Sequence, residues 1–134
     1  MAYENYAGTA PVTFPTATTG LARWRFVSLT TAGNAQYSAA GGAGCIGVIV
    51  DGTTGSTVAT NINVSVQVAG IAKVSAPANT VSVGDSITAS SLGQAVPATA
   101  GDVVVGVVVA GTSGGAGRIL SVMLGTPAGS TATV

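Results

Sequence analysis

Eight side chains of this 134-residue sequence, four basic and four acidic, carry a formal charge, and any acid–base chemistry must begin with them. Histidine is absent, and the charged residues are Glu4, Arg23, Arg25, Asp51, Lys73, Asp85, Asp102 and Arg118. Glycoside hydrolysis, for example, needs two carboxyl groups that face one cleft. Asp51 lies at a predicted hairpin turn, while Asp85 and Asp102 each follow a glycine, where aspartate commonly hydrogen-bonds to nearby backbone. We therefore predict turn positions, not catalytic ones, for these three aspartates.

Other motifs that carry chemistry lack their necessary partners. A serine nucleophile needs a base, and no serine motif accompanies Lys73. The glycine-rich stretches 41–44 and 114–117 do not precede a helical pattern, as a phosphate-binding loop requires. Four scattered acids cannot supply the clustered oxygen ligands of a calcium site. We therefore predict a protein that is not an enzyme and that holds no cofactor and no metal ion.

The basic residues are too few to form the patch that a phosphate backbone requires, so no nucleic-acid partner is expected. No apolar run approaches the ~20 residues of a membrane span, and the N-terminus lacks a secretory signal pattern, so no membrane partner is expected. Cys45 is the single cysteine, which excludes an intrachain disulfide and favours a small buried apolar role.

Only 6% of the residues are charged, and the formal net charge is zero. Net charge normally keeps protein chains apart, so such a surface is poorly protected against self-association. Either serine, threonine and asparagine hydrate it, or neighbouring subunits cover much of it. The second alternative predicts a subunit of an assembly.

The stretch from Ile62 to Val74 shows the clearest secondary-structure signal. Apolar residues alternate with polar ones from Ile62 to Val68, which predicts a half-buried β-strand, and Gly70 is expected to be a bulge or bend within it. A second strand is predicted over Leu21–Leu29, where Trp24 and Phe26 share the core-facing side. Arg23 and Arg25 then share the other side, where they either contact carboxylates of a partner or are simply solvated.

The sequence contains an internal duplication. Residues 27–35 align with 87–95 at an offset of sixty, Gly47–Gly55 align with Gly106–Gly114 after a one-residue adjustment, and Ile62–Gly70 resemble Ile119–Gly125. Turn signals recur about every 8–12 residues, as in β-sandwiches and barrels. The sequence therefore predicts an all-β fold, a small β-sandwich or barrel built from two similar halves at about 27–70 and 87–125 within a domain of residues 21–125.

Two terminal segments lie outside this predicted domain. Residues 1–20 contain two prolines and no clear periodicity, which predicts an extended N-terminal arm. Tyr3, Tyr6 and Phe14 give this arm large side chains, so it either docks on a partner or packs back on its own domain. Residues 126–134 are small and polar and are predicted to form a flexible tail.

Several motifs of the second half resemble the capsid cement, or head decoration, proteins of tailed bacteriophages. These motifs are a glycine–aspartate turn before a short strand, a Gly-x-Ala step, a valine-rich strand after a glycine and a closing apolar strand. Their positions here are Val81–Ile87, Gly93–Ala95, Val105–Val109 and Ile119–Leu124, and the stretch Val68–Val74 before them belongs to the same resemblance. The resemblance covers residues 21–125, although the first copy departs from the pattern because Thr19-Gly20 is not followed by aspartate.

The resemblance implies a small β-rich virion protein, often a homotrimer, on the outer surface of an icosahedral head. Its expected partners are the major capsid protein and further copies of itself, and its expected role is to stabilise the junctions between capsomers. The N-terminal arm would then contact the shell through Tyr3, Tyr6 and Phe14, with paired contacts from Arg23 and Arg25. The alternative is a carbohydrate-binding or fibre/adhesin module, although such modules usually display several exposed aromatic residues and Trp24 is the single tryptophan.

Overall fold

The computed structural model describes residues 10–16, 21–51, 63–77, 81–111 and 118–124. These residues form ten β-strands and contain no helix. No helix among them is therefore long and apolar enough to cross a membrane. The strands are β1 (Val12–Pro15), β2 (Phe26–Leu29), β3 (Ala35–Tyr37), β4 (Cys45–Asp51), β5 (Asn63–Gln67), β6 (Ile71–Ala76), β7 (Ser86–Ala89), β8 (Ala95–Pro97), β9 (Gly106–Ala110) and β10 (Arg118–Leu124).

The strands form two five-stranded antiparallel sheets that have the same internal order. The first sheet runs β1-β5-β4-β2-β3 and the second runs β6-β10-β9-β7-β8. Each strand of the first half therefore has a counterpart five strands later. The prediction of an all-β fold built from two similar halves is confirmed.

Strand register shows that the halves match residue by residue. Val27 pairs with Gly47 in the first sheet, and Ile87 pairs with Gly106 in the second. Phe14 pairs with Val64, and Val74 pairs with Leu120. Phe14 and Val74 are sixty residues apart and pair with equivalent strands, so β1 and β6 are equivalent as well. Each half therefore begins one strand earlier than the sequence duplication indicated.

Two predicted strands have different bounds in the structure. Of the two alternatives predicted for Gly70 the structure shows the bend and not the bulge, because Gly70 has a φ of 86° and separates β5 of the first sheet from β6 of the second. The positive φ, which glycine adopts without a steric cost, turns the chain from one half into the other. The strand predicted over Leu21–Leu29 begins only at Phe26.

In the first sheet the two edges also approach each other, because Thr16 of the segment after β1 forms a parallel bridge with Ala35 of β3.

Each half has its own hydrophobic core. The cluster of the first half consists of Leu21, Val27, Ala35, Ile49, Val64 and Val66, with Phe14, Tyr37 and Ile46 packed against it. The cluster of the second half contains the equivalent residues Val81, Ile87, Ala95, Val108, Leu120 and Val122, together with Ala72, Val74, Ala76, Ala89 and two residues of the first half, Phe26 and Val48.

Backbone hydrogen bonds join the two halves along a seam. The Phe26 N–H donates to the Gly93 carbonyl at 2.7 Å, and the Ser75 N–H donates to the Trp24 carbonyl at 2.7 Å. Gly41 makes two further bonds, because its N–H donates to Ala89 and its carbonyl accepts from Val103. The seam thus joins segment 24–26 and Gly41 of the first half to β6, β7 and the segments around Gly93 and Val103 of the second.

Candidate partner-binding surface

Trp24 lies at this seam in an uncommon backbone conformation. Its φ is 64°, and it is the one non-glycine residue with a positive φ in the part of the chain that the structure describes. Its N–H donates to the Ile49 carbonyl at 2.6 Å, and its carbonyl accepts from Ser75 of the other half. A left-handed backbone brings the Cβ of an L-residue close to the following carbonyl and costs about 1–2 kcal/mol. The two hydrogen bonds hold Trp24 in this conformation.

The equivalent position of the second half is occupied by Gly84. Gly84 has a φ of 94°, and its N–H donates to the Val108 carbonyl at 2.8 Å, as Trp24 does to Ile49. The residue that follows repeats as well, since Arg25 and Asp85 accept from the N–H groups of Ile49 and Val108. The turn is therefore duplicated, and the first copy carries tryptophan where the second carries the residue that avoids the strain.

The Trp24 side chain is half-buried and contacts two cationic groups. The Arg23 guanidinium carbon lies over the indole, 4.2 Å from the ring centroid, and the Lys73 ammonium lies 5.7 Å from the same centroid. Cations over an aromatic face are attracted by its quadrupole, by about 0.5–1 kcal/mol at exposed sites. We call Arg23, Trp24 and Lys73 the cation–indole cluster. It joins a loop of the first half to β6 of the second.

Neighbouring residues hold this segment in place. Leu21 is buried in the first core, and the Ala22 N–H donates to the Tyr37 hydroxyl at 2.9 Å. Arg25 is half-buried, its guanidinium lies 5.8 Å from the Tyr37 ring centroid, and its Nη1 donates to the Leu92 carbonyl at 2.9 Å. Arg25 therefore links the two halves, whereas Arg23 is exposed.

The structure brings together only some of the residues predicted to bind a partner. Arg23 and Arg25 lie in one segment, but they are not two equivalent members of one strand face. Phe14 is in β1, where it is half-buried against the first core, so its side chain stabilises the domain. Tyr3 and Tyr6 lie outside the described residues. The other two members of the cation–indole cluster are Trp24 and Lys73. The sequence predicted that Trp24 faces the core, and it did not indicate Lys73 as a partner contact.

Two of the acidic residues have the turn roles that were predicted for them. Asp85 Oδ2 accepts from the Ser82 N–H at 2.9 Å, and Asp102 Oδ2 accepts from the Thr99 N–H at 2.9 Å and the Thr99 hydroxyl at 3.0 Å.

Cys45 is half-buried and packs against the second core, and burial raises its pKa to about 11. This thiol is therefore a weak nucleophile at neutral pH. The cation–indole cluster is therefore the candidate binding surface among the described residues.

Comparison with known proteins gives a structural neighbour. The chain is similar in fold to the head fiber gp8.5 N base of bacteriophage phi29, with a TM-score of 0.60 over 85% of this chain and 93% of that one. Sequence identity between the two is 18%, so the likeness concerns the fold. No protein-family model matches the sequence, and no curated protein matches it.

Proposed function

We propose that this protein is a structural component of a bacteriophage virion and that it binds the outer surface of the icosahedral head as a cement or decoration protein. The observation that carries the proposal is the fold that it shares with the base of a phage head fiber over most of both chains. The sequence motifs that resemble head decoration proteins support the same function independently of the fold.

The physical character of the chain agrees with this role. A protein that stabilises a shell needs no catalytic group, and its weak contacts are multiplied by the symmetry of the shell. The nearly uncharged surface suits a subunit that is covered by its neighbours, which we propose to be the major capsid protein and further copies of this chain in a homotrimer. We propose no enzymatic activity and no nucleic-acid or membrane partner.

A second function, as the head-attached base of a fiber or adhesin, is favoured by one specific observation. The structural neighbour is described as the base of a head fiber, not as a cement protein. Both functions place the domain on the head, and they differ in whether the domain reinforces the shell or carries a projecting part. A carbohydrate-binding function lacks comparable support, because the single tryptophan is half-buried and has a guanidinium over its ring.

The test is binding to heads. Purified protein is added to expanded shells that are assembled from the major capsid protein of the same phage, and bound protein is measured by co-sedimentation and located by electron cryomicroscopy. We expect saturable binding at symmetry-related sites on the outer surface, together with a higher melting temperature of the shell. Binding without any gain in shell stability would favour the fiber base, and absence of binding would overturn both functions.

A further inference from the structure

We propose that the cation–indole cluster of Arg23, Trp24 and Lys73 binds a carboxylate-bearing segment of a protein partner. The inference deepens the proposed function, since on a virion this partner would be an acidic segment of the head surface. It rests on three observations: a strained residue that carries the site, a side chain that the fold does not require, and a cation whose donors lie at the surface.

The first observation is that the turn at Trp24 does not need a tryptophan to form. The same turn forms in the second half of the protein with glycine at this position. Trp24 and Gly84 occupy the same turn with the same hydrogen bond, yet only tryptophan pays a steric cost for its positive φ. Strained residues that the surrounding structure holds in place cluster at functional sites. The strain therefore indicates a role for the indole itself.

The second observation is that the link between the halves at Trp24 uses only its backbone. The N–H of Trp24 bonds to Ile49 and its carbonyl accepts from Ser75, and a glycine would make both bonds. The link through Phe26 to Gly93 is likewise made by backbone groups. Beyond the packing of its half-buried indole, tryptophan adds an aromatic surface that receives the cations of Arg23 and Lys73.

The third observation concerns the direction in which the cluster presents charge. Arg23 is exposed, and its guanidinium carbon lies over the indole ring of Trp24. Stacking uses the face of a guanidinium and leaves the N–H donors at its edge, where they match the two oxygens of a carboxylate. Because the ring fixes the guanidinium in advance, less side-chain entropy is lost when a carboxylate binds.

A protein segment fits this chemistry better than a sugar or a nucleic acid. The Arg23 guanidinium lies over the indole, 4.2 Å from the ring centroid, and so occupies a face on which a sugar would stack. Three cations, including the nearby Arg25, are too few for the counterion-release affinity of a nucleic-acid site. Tryptophan and arginine are the residues that most often dominate the binding energy of protein–protein interfaces. Asp85 and Asp102, the acids whose side chains the structure describes, are held in their own turns, so they do not compete for the cluster there.

The first experiment does not depend on phage heads. Because Trp24 is the single tryptophan, its fluorescence reports directly on the cluster. The full chain is titrated with an acetylated hexaglutamate peptide, and hexaglutamine, hexalysine and polygalacturonate serve as comparison ligands. We expect a saturable change in emission with hexaglutamate alone, reversed by 0.3 M salt. An equal response to hexaglutamine, a stronger response to polygalacturonate, or no response to hexaglutamate overturns the proposal.

Matched variants locate the binding. Arg23→Gln removes an exposed cation and is expected to weaken hexaglutamate binding at least fivefold, while the melting temperature falls by no more than a few degrees. Arg118→Gln removes the same charge from the start of β10 and is expected to change the affinity less than twofold. Equal losses in the two variants would show a general effect of net charge and overturn the assignment.

The second experiment uses the shells described above and separates the two proposals. Wild-type protein that binds shells, with Arg23→Gln and Trp24→Gly both weakened at least fivefold and still folded by circular dichroism, supports the cluster as the contact. Wild-type protein that binds hexaglutamate but not shells overturns the function on the head and leaves the acidic-segment site standing. Shell binding that both variants retain in full overturns the cluster as the contact and leaves the function on the head standing.

Discussion

Trp24 and Gly84 occupy one position in two copies of the same turn, and each donates its N–H to the equivalent carbonyl, that of Ile49 or of Val108. Gly84 therefore shows which backbone conformation this turn needs when the residue has no side chain. The backbone requires a positive φ, and the side chain at this position is a separate feature of the first copy.

This relationship predicts the stability of two variants at position 24. Trp24→Gly and Trp24→Ala both remove the indole and its packing, so the difference between them isolates the backbone strain. We expect the glycine variant to have the larger free energy of unfolding, by about 1 kcal/mol, because alanine retains the Cβ that a positive φ disfavours. Urea denaturation followed by circular dichroism measures the difference.

Gly84 provides the control for that measurement. A Cβ at Gly84 would meet no atom within 4 Å, so Gly84→Ala tests conformation without a steric clash. We expect a loss of about 1 kcal/mol in the free energy of unfolding. Equal stability of the alanine variant and the wild type would show that the turn relaxes freely and that strain is not stored at either copy.

A second prediction concerns two glycines at equivalent places in the ladders. A Cβ at Gly47 would lie 2.2 Å from the Gln67 carbonyl oxygen, and a Cβ at Gly106 would lie 2.7 Å from the Met123 carbonyl oxygen. Backbone atoms cannot move aside cheaply, so Gly47→Ala and Gly106→Ala are each expected to cost about 1–3 kcal/mol by forcing the strands apart. Thr13→Ala, at an exposed site of β1, is the control and should change stability by less than about 0.5 kcal/mol.

The sequence predicted the repeat from β2 onward because those strands share glycine turns and valines at a constant offset. It missed the equivalence of β1 and β6, because Val12–Pro15 and Ile71–Ala76 share almost no residue types and only their pairing with β5 and β10 relates them. Alternation across Ile62–Val74 also could not show that the chain changes sheets at Gly70. Period two reports strand faces, whereas sheet membership is decided by long-range pairing.

The cation–indole cluster was missed for a related reason. Alternation placed Trp24 in a core-facing strand, but its positive φ interrupts the strand and directs the indole to Arg23 and Lys73, which are fifty residues apart in sequence. A signal was nevertheless present. Extending the offset of sixty back by three residues aligns Trp24 with Gly84, and a tryptophan aligned with a turn glycine indicates an unusual site.

Cys45 leads to a prediction about pH. Burial raises its pKa from 9.0 to about 11, so the folded state favours the neutral thiol. Its contribution to stability is therefore fully present below pH 9 and is lost as the pH rises from about 9 to about 11, where the unfolded chain ionises first. We expect the stability difference between wild type and Cys45→Ala to shrink over that interval, as measured by urea denaturation at successive pH values. A difference that stays constant from pH 8 to 11 would contradict the raised pKa.

The same shift predicts slow chemical modification. A pKa of about 11 lowers the thiolate fraction at pH 8 by roughly a hundredfold relative to a pKa of 9.0. Iodoacetamide should therefore alkylate the folded protein far more slowly than the protein in 8 M urea, with the rates followed by mass spectrometry. Equal rates in the two conditions would place the thiol in solvent.

The final prediction separates the two parts of the N-terminal segment. Phe14 in β1 occupies the place that Val74 holds in the second half, and β1 covers the edge of β5. Deleting residues 1–18 removes β1, uncovers that edge and takes an aromatic side chain from the first core, so we expect a loss of more than about 2 kcal/mol and a tendency to aggregate. Deleting residues 1–9 leaves β1 in place and should preserve the melting temperature within a few degrees. If Tyr3 and Tyr6 contact the head, the shorter deletion will lose shell binding while it stays folded; shell binding that survives it would assign the contact to the domain itself, where Arg23 and Trp24 lie.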